Sequence, residues 1–181
     1  MDPLSTLAVA LWTMLPAYVP NNAAVLVGGG SPIDGGRTLD GNRLLGDGKT
    51  WRGSVGGIAA GVAVALLLSA IAPAVSTTVG VPFPTFPMGA TLSLPVGAIL
   101  GDVLASFVKR RLGRQRGAAV LGLDQLDFVA VALGATVLIV PGWSEAVFTV
   151  PVLVVVLVVT PLLHVSANVL AYHAGLKPDP W

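Results

Sequence analysis

The chain has 181 residues, of which 54% are hydrophobic and only 10% charged, with a formal net charge of +1 and no cysteine. A soluble globular domain typically carries about 25% charged residues, so this composition points to lipid as the main solvent. Without cysteine there is neither a disulfide nor a thiolate metal site.

Charge is missing from 3–32, from 54–101, and from 128–176 apart from Glu145 and two histidines. A bilayer crossing needs about 20 apolar residues, so each stretch holds one or two. Cutting at proline, glycine and polar clusters predicts five transmembrane helices, about 4–27, 54–73, 91–108, 124–140 and 147–172, in a single all-α, polytopic membrane domain spanning 1–181. The first span lacks a basic leader and a cleavage-like site and contains Pro16, Pro20, Asn21 and Asn22, so it reads as a retained, kinked helix. Every lysine and arginine falls in loop 28–53, loop 109–123 or the tail after the fifth span. Five spans put those segments on one side, which the positive-inside rule makes the cytoplasm, with the N-terminus outside and the C-terminus inside. A multi-pass protein of the cell membrane follows, its functional mouth facing the cytoplasm.

Loop 28–53 contains Asp-Gly pairs at Asp34, Asp40 and Asp47, and the cations Arg37, Arg43, Lys49 and Arg52. Glycine turns expose backbone N–H groups, lysine meets phosphate as a point charge and arginine as a fork. A helix beginning at Ser54 would add its positive dipole end. The other reading is a linker whose charges only fix topology. The loop is not a Walker A motif, because the glycine spacing before Lys49 is wrong and no strand precedes it.

The third span buries Asp102, about two turns before Lys109, Arg110 and Arg111. An aspartate at the bilayer centre costs about 2.5–3.5 kcal/mol on insertion scales, so Asp102 should face the bundle interior with a partner. Gly97 and Gly101 make a small-residue face for close helix packing. At the start of the fourth span, Asp124 and Asp127 share a helix face. With Asp102 they offer oxygen ligands suited to magnesium; alternatively, Asp124 caps the helix and Asp127 favours its dipole. In the fifth span His164, Asn168 and Tyr172 form a polar stripe, for which helix–helix contact is the simpler reading. Asn21 and Asn22 are candidates for polar contacts to a headgroup or base, and Trp12, Trp143 and Trp181 for interfacial anchors.

Gly101-Asp102, Ser106, Lys109-Arg110 and the following Asp124-Gln125-Leu126-Asp127 resemble the motif pair of membrane phosphatidate cytidylyltransferases, with Gln125 where that family has arginine. A closer resemblance runs through nearly the whole chain. "NN…GGGSPIDGG…DGNRLLGDGKTWRGS", "GDVLASFVKRRLG", "LDQLDF" and "HVSANVLAYHAGLK" are together similar to the CDP-archaeol synthase family. The resemblance implies transfer of CMP from CTP to 2,3-bis-O-geranylgeranylglycerol 1-phosphate, releasing pyrophosphate, with Mg2+ as cofactor. It implies Asp102 and Asp127 as metal ligands and Asp102, Asp124, Asp127 and Lys49 as the catalytic set. Lys49, Arg52, Lys109 and Arg110 would bind phosphates, with Asp34, Thr50 and Asn22 as further nucleotide contacts. The expected partners are CTP, a lipid phosphate and membrane lipids, with no nucleic acid.

Two other functions compete. An intramembrane carboxylate and a broken first helix also suit a small ion- or proton-coupled transporter, although no inverted repeat is visible. A CDP-alcohol phosphotransferase would use a CDP-lipid, but its D-x-x-D-G-x-x-A-R pattern is missing, since no aspartate stands three residues before any Asp-Gly pair with Ala-Arg following.

Overall fold

A computed structural model describes residues 1–114, 123–173 and 175, without the side chains of 123, 124 and 171. The elements are helix α1 (Pro3–Leu26), strands β1 (Thr38–Leu39) and β2 (Asn42–Arg43), and helices α2 (Trp51–Val79), α3 (Met88–Arg111), α4 (Leu123–Ile139), α5 (Pro141–Val147) and α6 (Val150–His173). Helix α1 packs on α2, α3 and α6, and α3 packs along α4.

Small residues set these approaches. A Cβ on Gly97 would lie 2.5 Å from the Ala132 Cα, and one on Gly101 2.5 Å from the Phe128 Cα, so the expected glycine face of α3 lies against the α4 backbone. On α2, a Cβ at Gly61 would lie 2.6 Å from the Pro16 carbonyl oxygen, and at Gly57 2.5 Å from that of Pro20. Pro20 has no N–H, so the Pro16 carbonyl lacks its usual helical donor and is turned to close contact with α2 instead. Buried hydroxyls pair inside the bundle: Ser93 with Thr136 and Tyr18 with Thr160, each at 2.8 Å.

Four helices are long and apolar enough to cross a bilayer: α1, α2, α3 and the 150–170 part of α6. The two most apolar, α2 and α6 with mean hydropathy 2.4, are the least covered by protein, at 22% and 17% buried against 44% and 56% for α1 and α3. Water would penalise that arrangement, whereas lipid favours it. Helix α4 is shorter, at 17 residues or roughly 25 Å.

Several boundaries differ from the sequence reading. Helix α2 does not stop at Pro73 but runs to Val79, where Gly80 takes a left-handed turn. It begins at Trp51 with Thr50, not Ser54, as its cap: Thr50 is extended, and its Oγ1 accepts the Gly53 N–H at 3.1 Å. The 141–146 connector is largely helical, with Pro141 in the first turn of α5, where its missing N–H costs nothing. The bundle is not purely α, since β1 and β2 pair antiparallel, Thr38 with Arg43 and Leu39 with Asn42. Asp40 and Gly41 between them both have positive φ, as a type I′ hairpin requires. Away from that hairpin, the Trp12 and Trp143 indoles donate to the Pro84 and Thr85 carbonyls at 3.0 and 2.9 Å, tying down the 81–87 connector. Trp181 lies outside the described residues.

Candidate active site

Gly101 presses α3 onto the backbone of Asp127 and Phe128, so the next residue, Asp102, emerges beside the first turns of α4. Asp102 and Asp127 line one cavity of about 350 Å³. Tyr18, Asn21 and Asn22 of α1 and Thr160, His164 and Asn168 of α6 contribute its other polar groups. Of the polar stripe expected on the last span, His164 and Asn168 line this cavity with the two carboxylates, whereas Tyr172 does not and is exposed. Leu15 of α1 and Leu163 of α6 also line the cavity and are 38% and 42% exposed, so its wall between α1 and α6 is apolar and accessible.

Loop 28–50 reaches this space through Lys49. Lys49 forms an ion pair with Asp102, joining loop and cavity, and both side chains are about a third exposed or less. A smaller cavity of about 40 Å³ lies between the loop, α1, α2 and α3, lined by Lys49, Thr50, Gly53 and Ser54 among others. Asp102 and Asn21 border both cavities and so form their common wall.

The loop is folded rather than slack. Asp34 is buried at its centre, accepting from Arg43 at 2.8 and 3.2 Å and from the N–H groups of Gly36, Leu45 and Gly46 at 3.0–3.1 Å. The Arg43 guanidinium and these N–H donors outweigh the effect of burial and hold the Asp34 carboxyl well below the usual carboxylate range. Arg43 also reaches Asp47 at 2.6 Å. From the end of α3, Arg111 donates to the carbonyls of Leu39, Asn42 and Arg43 at 2.8, 3.2 and 3.0 Å, with its guanidinium 5.5 Å from the Phe107 ring centre.

The expected site residues thus separate by position. Asp102, Asp127, Asn22 and Lys49 come together at the cavities. Asp34 and Thr50 are directed inward and build the loop and the α2 cap. Arg52 is exposed on the first turn of α2. Lys109 and Arg110 are half-buried in the last turn of α3, where Arg110 donates to the Arg114 carbonyl at 2.7 Å. The Asp124 side chain lies outside the described residues. Sequence reading missed the Arg43–Asp34 pair and the Arg111 clamp. The only signal for the first was an aspartate and an arginine in one turn-rich loop, and for the second a third cation after Lys109-Arg110.

A partly buried lysine–carboxylate pair and a second aspartate on the same cavity, set among helices long and apolar enough to cross a membrane, mark a polar site within an apolar helical bundle. The comparisons with known proteins narrow this. The family profile described as CarS-like, CDP-archaeol synthase, matches residues 4–181. CDP-archaeol synthases of Natronomonas pharaonis and Halobacterium salinarum are each 60% identical, covering 97% and 100% of this chain and 98% and 100% of their own. A solved structure described as an intramembrane enzyme for archaeal membrane lipids biosynthesis matches with a TM-score of 0.70 and 37% identity, over 88% of this chain and 92% of that one. The chain belongs to the CDP-archaeol synthase family.

Proposed function

We propose that the chain transfers CMP from CTP to 2,3-bis-O-geranylgeranylglycerol 1-phosphate, forming CDP-archaeol and pyrophosphate. The observation that carries this reading is the cavity between α1 and α6 that Asp102 and Asp127 line together, with Asp102 paired to Lys49 of the loop. CTP arrives over loop 28–50 and the lipid phosphate through the α1–α6 opening, so the two anions meet at the common wall.

Five crossings, with α4 as the fourth, place loop 28–50 and the end of α3 on one side. The eight cations among the described residues all lie there, which supports a cytoplasmic mouth and an external N-terminus.

An oxygen atom of the lipid phosphate attacks the α-phosphorus of CTP. As that P–O bond forms, the bond from the α-phosphorus to the bridging oxygen breaks, and its electron pair leaves with pyrophosphate. The nucleophile is already anionic near neutral pH, so no general base is required. The protein positions two anions and stabilises the charge growing on the leaving group. Lys49 is held over the cavity by the folded loop, and a triphosphate reaching it competes with Asp102 for its ammonium donors. Arg52, Lys109 and Arg110 lie at the same end and supply further phosphate contacts.

Asp102 and Asp127 present oxygen atoms, the donor type magnesium takes, on the wall of one cavity. That fits a cation bound by one or two carboxylates that completes its shell with water and substrate phosphate. Bound there, Mg2+ would offset negative charge on the triphosphate.

The test is a reconstitution of the protein in bilayers with CTP, Mg2+ and the ether lipid phosphate. Equimolar CDP-lipid and pyrophosphate are expected. Cation flux without pyrophosphate release would favour a transporter instead, and consumption of a supplied CDP-lipid a phosphotransferase.

A further inference from the structure

We propose that Asn21 supplies a third, uncharged oxygen to the divalent cation held by Asp102 and Asp127. The proposal rests on the cation reading of that cavity.

The Asn21 Oδ1 atom is buried and has no hydrogen-bond partner among the described residues. Buried polar atoms are ordinarily satisfied, so an isolated acceptor marks a place where something else completes the shell. Its position says what. Asn21 and Asp102 together border both cavities, and Asp127 borders the larger. Three oxygen-bearing side chains, from α1, α3 and α4, thus line the larger cavity.

The neighbouring Asn22 behaves differently. It is exposed, and its amide donates to the Tyr18 carbonyl at 3.2 Å, one turn back on its own helix. Of the adjacent pair, only Asn21 is placed on the wall between the cavities.

The chemistry of the two substrates narrows the role further. An amide oxygen only accepts, and needs a hydrogen-bond donor or a cation. A diether glycerol phosphate dianion offers ether and phosphate oxygens, which are acceptors too, so it cannot satisfy Asn21. Nucleotide donors sit on the base and the ribose, whereas Asn21 borders Asp102, where the reacting phosphates must be neutralised. Two carboxylates and one neutral oxygen suit a hard cation and leave coordination positions for water and phosphate. Adding no charge, Asn21 strengthens binding without over-neutralising a cation that must still attract a triphosphate.

The experiment measures Mn2+ binding to the full chain in lipid nanodiscs, without nucleotide, from the loss of the free Mn2+ paramagnetic resonance signal. Wild-type protein is expected to bind, and Asp102→Asn to lose binding. Asn21→Leu is expected to weaken binding by about 10-fold or more, the order seen when groups around a metal are removed. Asn21→Asp keeps the side-chain shape and an oxygen donor, so it should retain Mn2+ binding at or above the wild-type level, which guards against misfolding as the cause of any loss in Asn21→Leu. Wild-type affinity in both Asn21 variants, with binding still lost in Asp102→Asn, overturns the role of Asn21 alone. Absence of Mn2+ binding both by the wild type and by Lys49→Ala, in which Asp102 is released from its ion pair, overturns the cation reading itself.

Discussion

Adding one methyl group at Gly101 should disable the enzyme without removing any reactive group. A Cβ there would stand 2.5 Å from the Phe128 Cα, 2.7 Å from the Asp127 carbonyl oxygen and 2.9 Å from the Phe128 nitrogen. All three are backbone atoms of α4 and cannot rotate aside. Carbon atoms rest at roughly 3.5 Å or more, so α3 and α4 must part by about 1 Å. That shift falls between Asp102, the next residue on α3, and Asp127, whose carbonyl is one of the atoms struck. Misplacement of about 1 Å costs on the order of 100-fold in rate, and overpacking of this kind about 1–3 kcal/mol in stability. Gly101→Ala is therefore expected to insert and purify but transfer labelled CMP from CTP into lipid about 100-fold more slowly. Gly97→Ala meets Ala132 equally closely but one turn farther from the carboxylates, so it should match the loss of stability with a smaller loss of rate. Gly134, with nothing within 4 Å, is the neutral control. Turnover within a few-fold of wild type for Gly101→Ala would refute the coupling of helix spacing to carboxylate spacing.

Arg111→Gln removes the donors that hold three hairpin carbonyls, so proteolysis within 28–50 should quicken and KM for CTP should rise about 10-fold, with kcat less affected. Lys49→Ala should lose far more activity than Arg114→Ala in the same labelled-CTP assay, because Lys49 reaches Asp102 in the cavity while Arg114 is exposed. The Asp34 carboxyl is held below its ordinary range, so its support of the loop is complete above about pH 4 and is lost only as pH falls further, through its folded value. Protease protection of 28–50 should accordingly stay flat from pH 8 to about pH 5 and fall only in stronger acid, with Asp34→Asn unprotected throughout.

What could be read from sequence was what lipid and local spacing impose. Gly97 and Gly101 announced a close helix contact, and Asp102 in an apolar run had to face inward; both do. The ends of α2 are not legible from Ser54 and Pro73, which resemble boundaries but lie inside the helix. Thr50 could be chosen over Ser54 only by knowing that the preceding backbone is extended and that Trp51 donates its N–H to Ser31. In sequence Arg111 is indistinguishable from a topology charge, because its three acceptors lie 68–72 residues earlier and are main-chain carbonyls with no side-chain signature. Asp34 looked like a ligand-facing residue for a related reason. An aspartate before glycine is equally suited to binding a nucleotide or to holding its own loop, and only the position of Arg43 shows which of these it does here.

The most direct test of the central claim is CMP transfer by Asp102→Asn, a change that keeps the shape of the side chain and removes its charge. With CTP, Mg2+ and the ether lipid phosphate supplied to protein shown to be inserted and protected in loop 28–50, labelled CMP should fail to enter the lipid. Near-normal turnover by that variant would contradict the assignment of the carboxylate cavity as the place where CTP and lipid phosphate react.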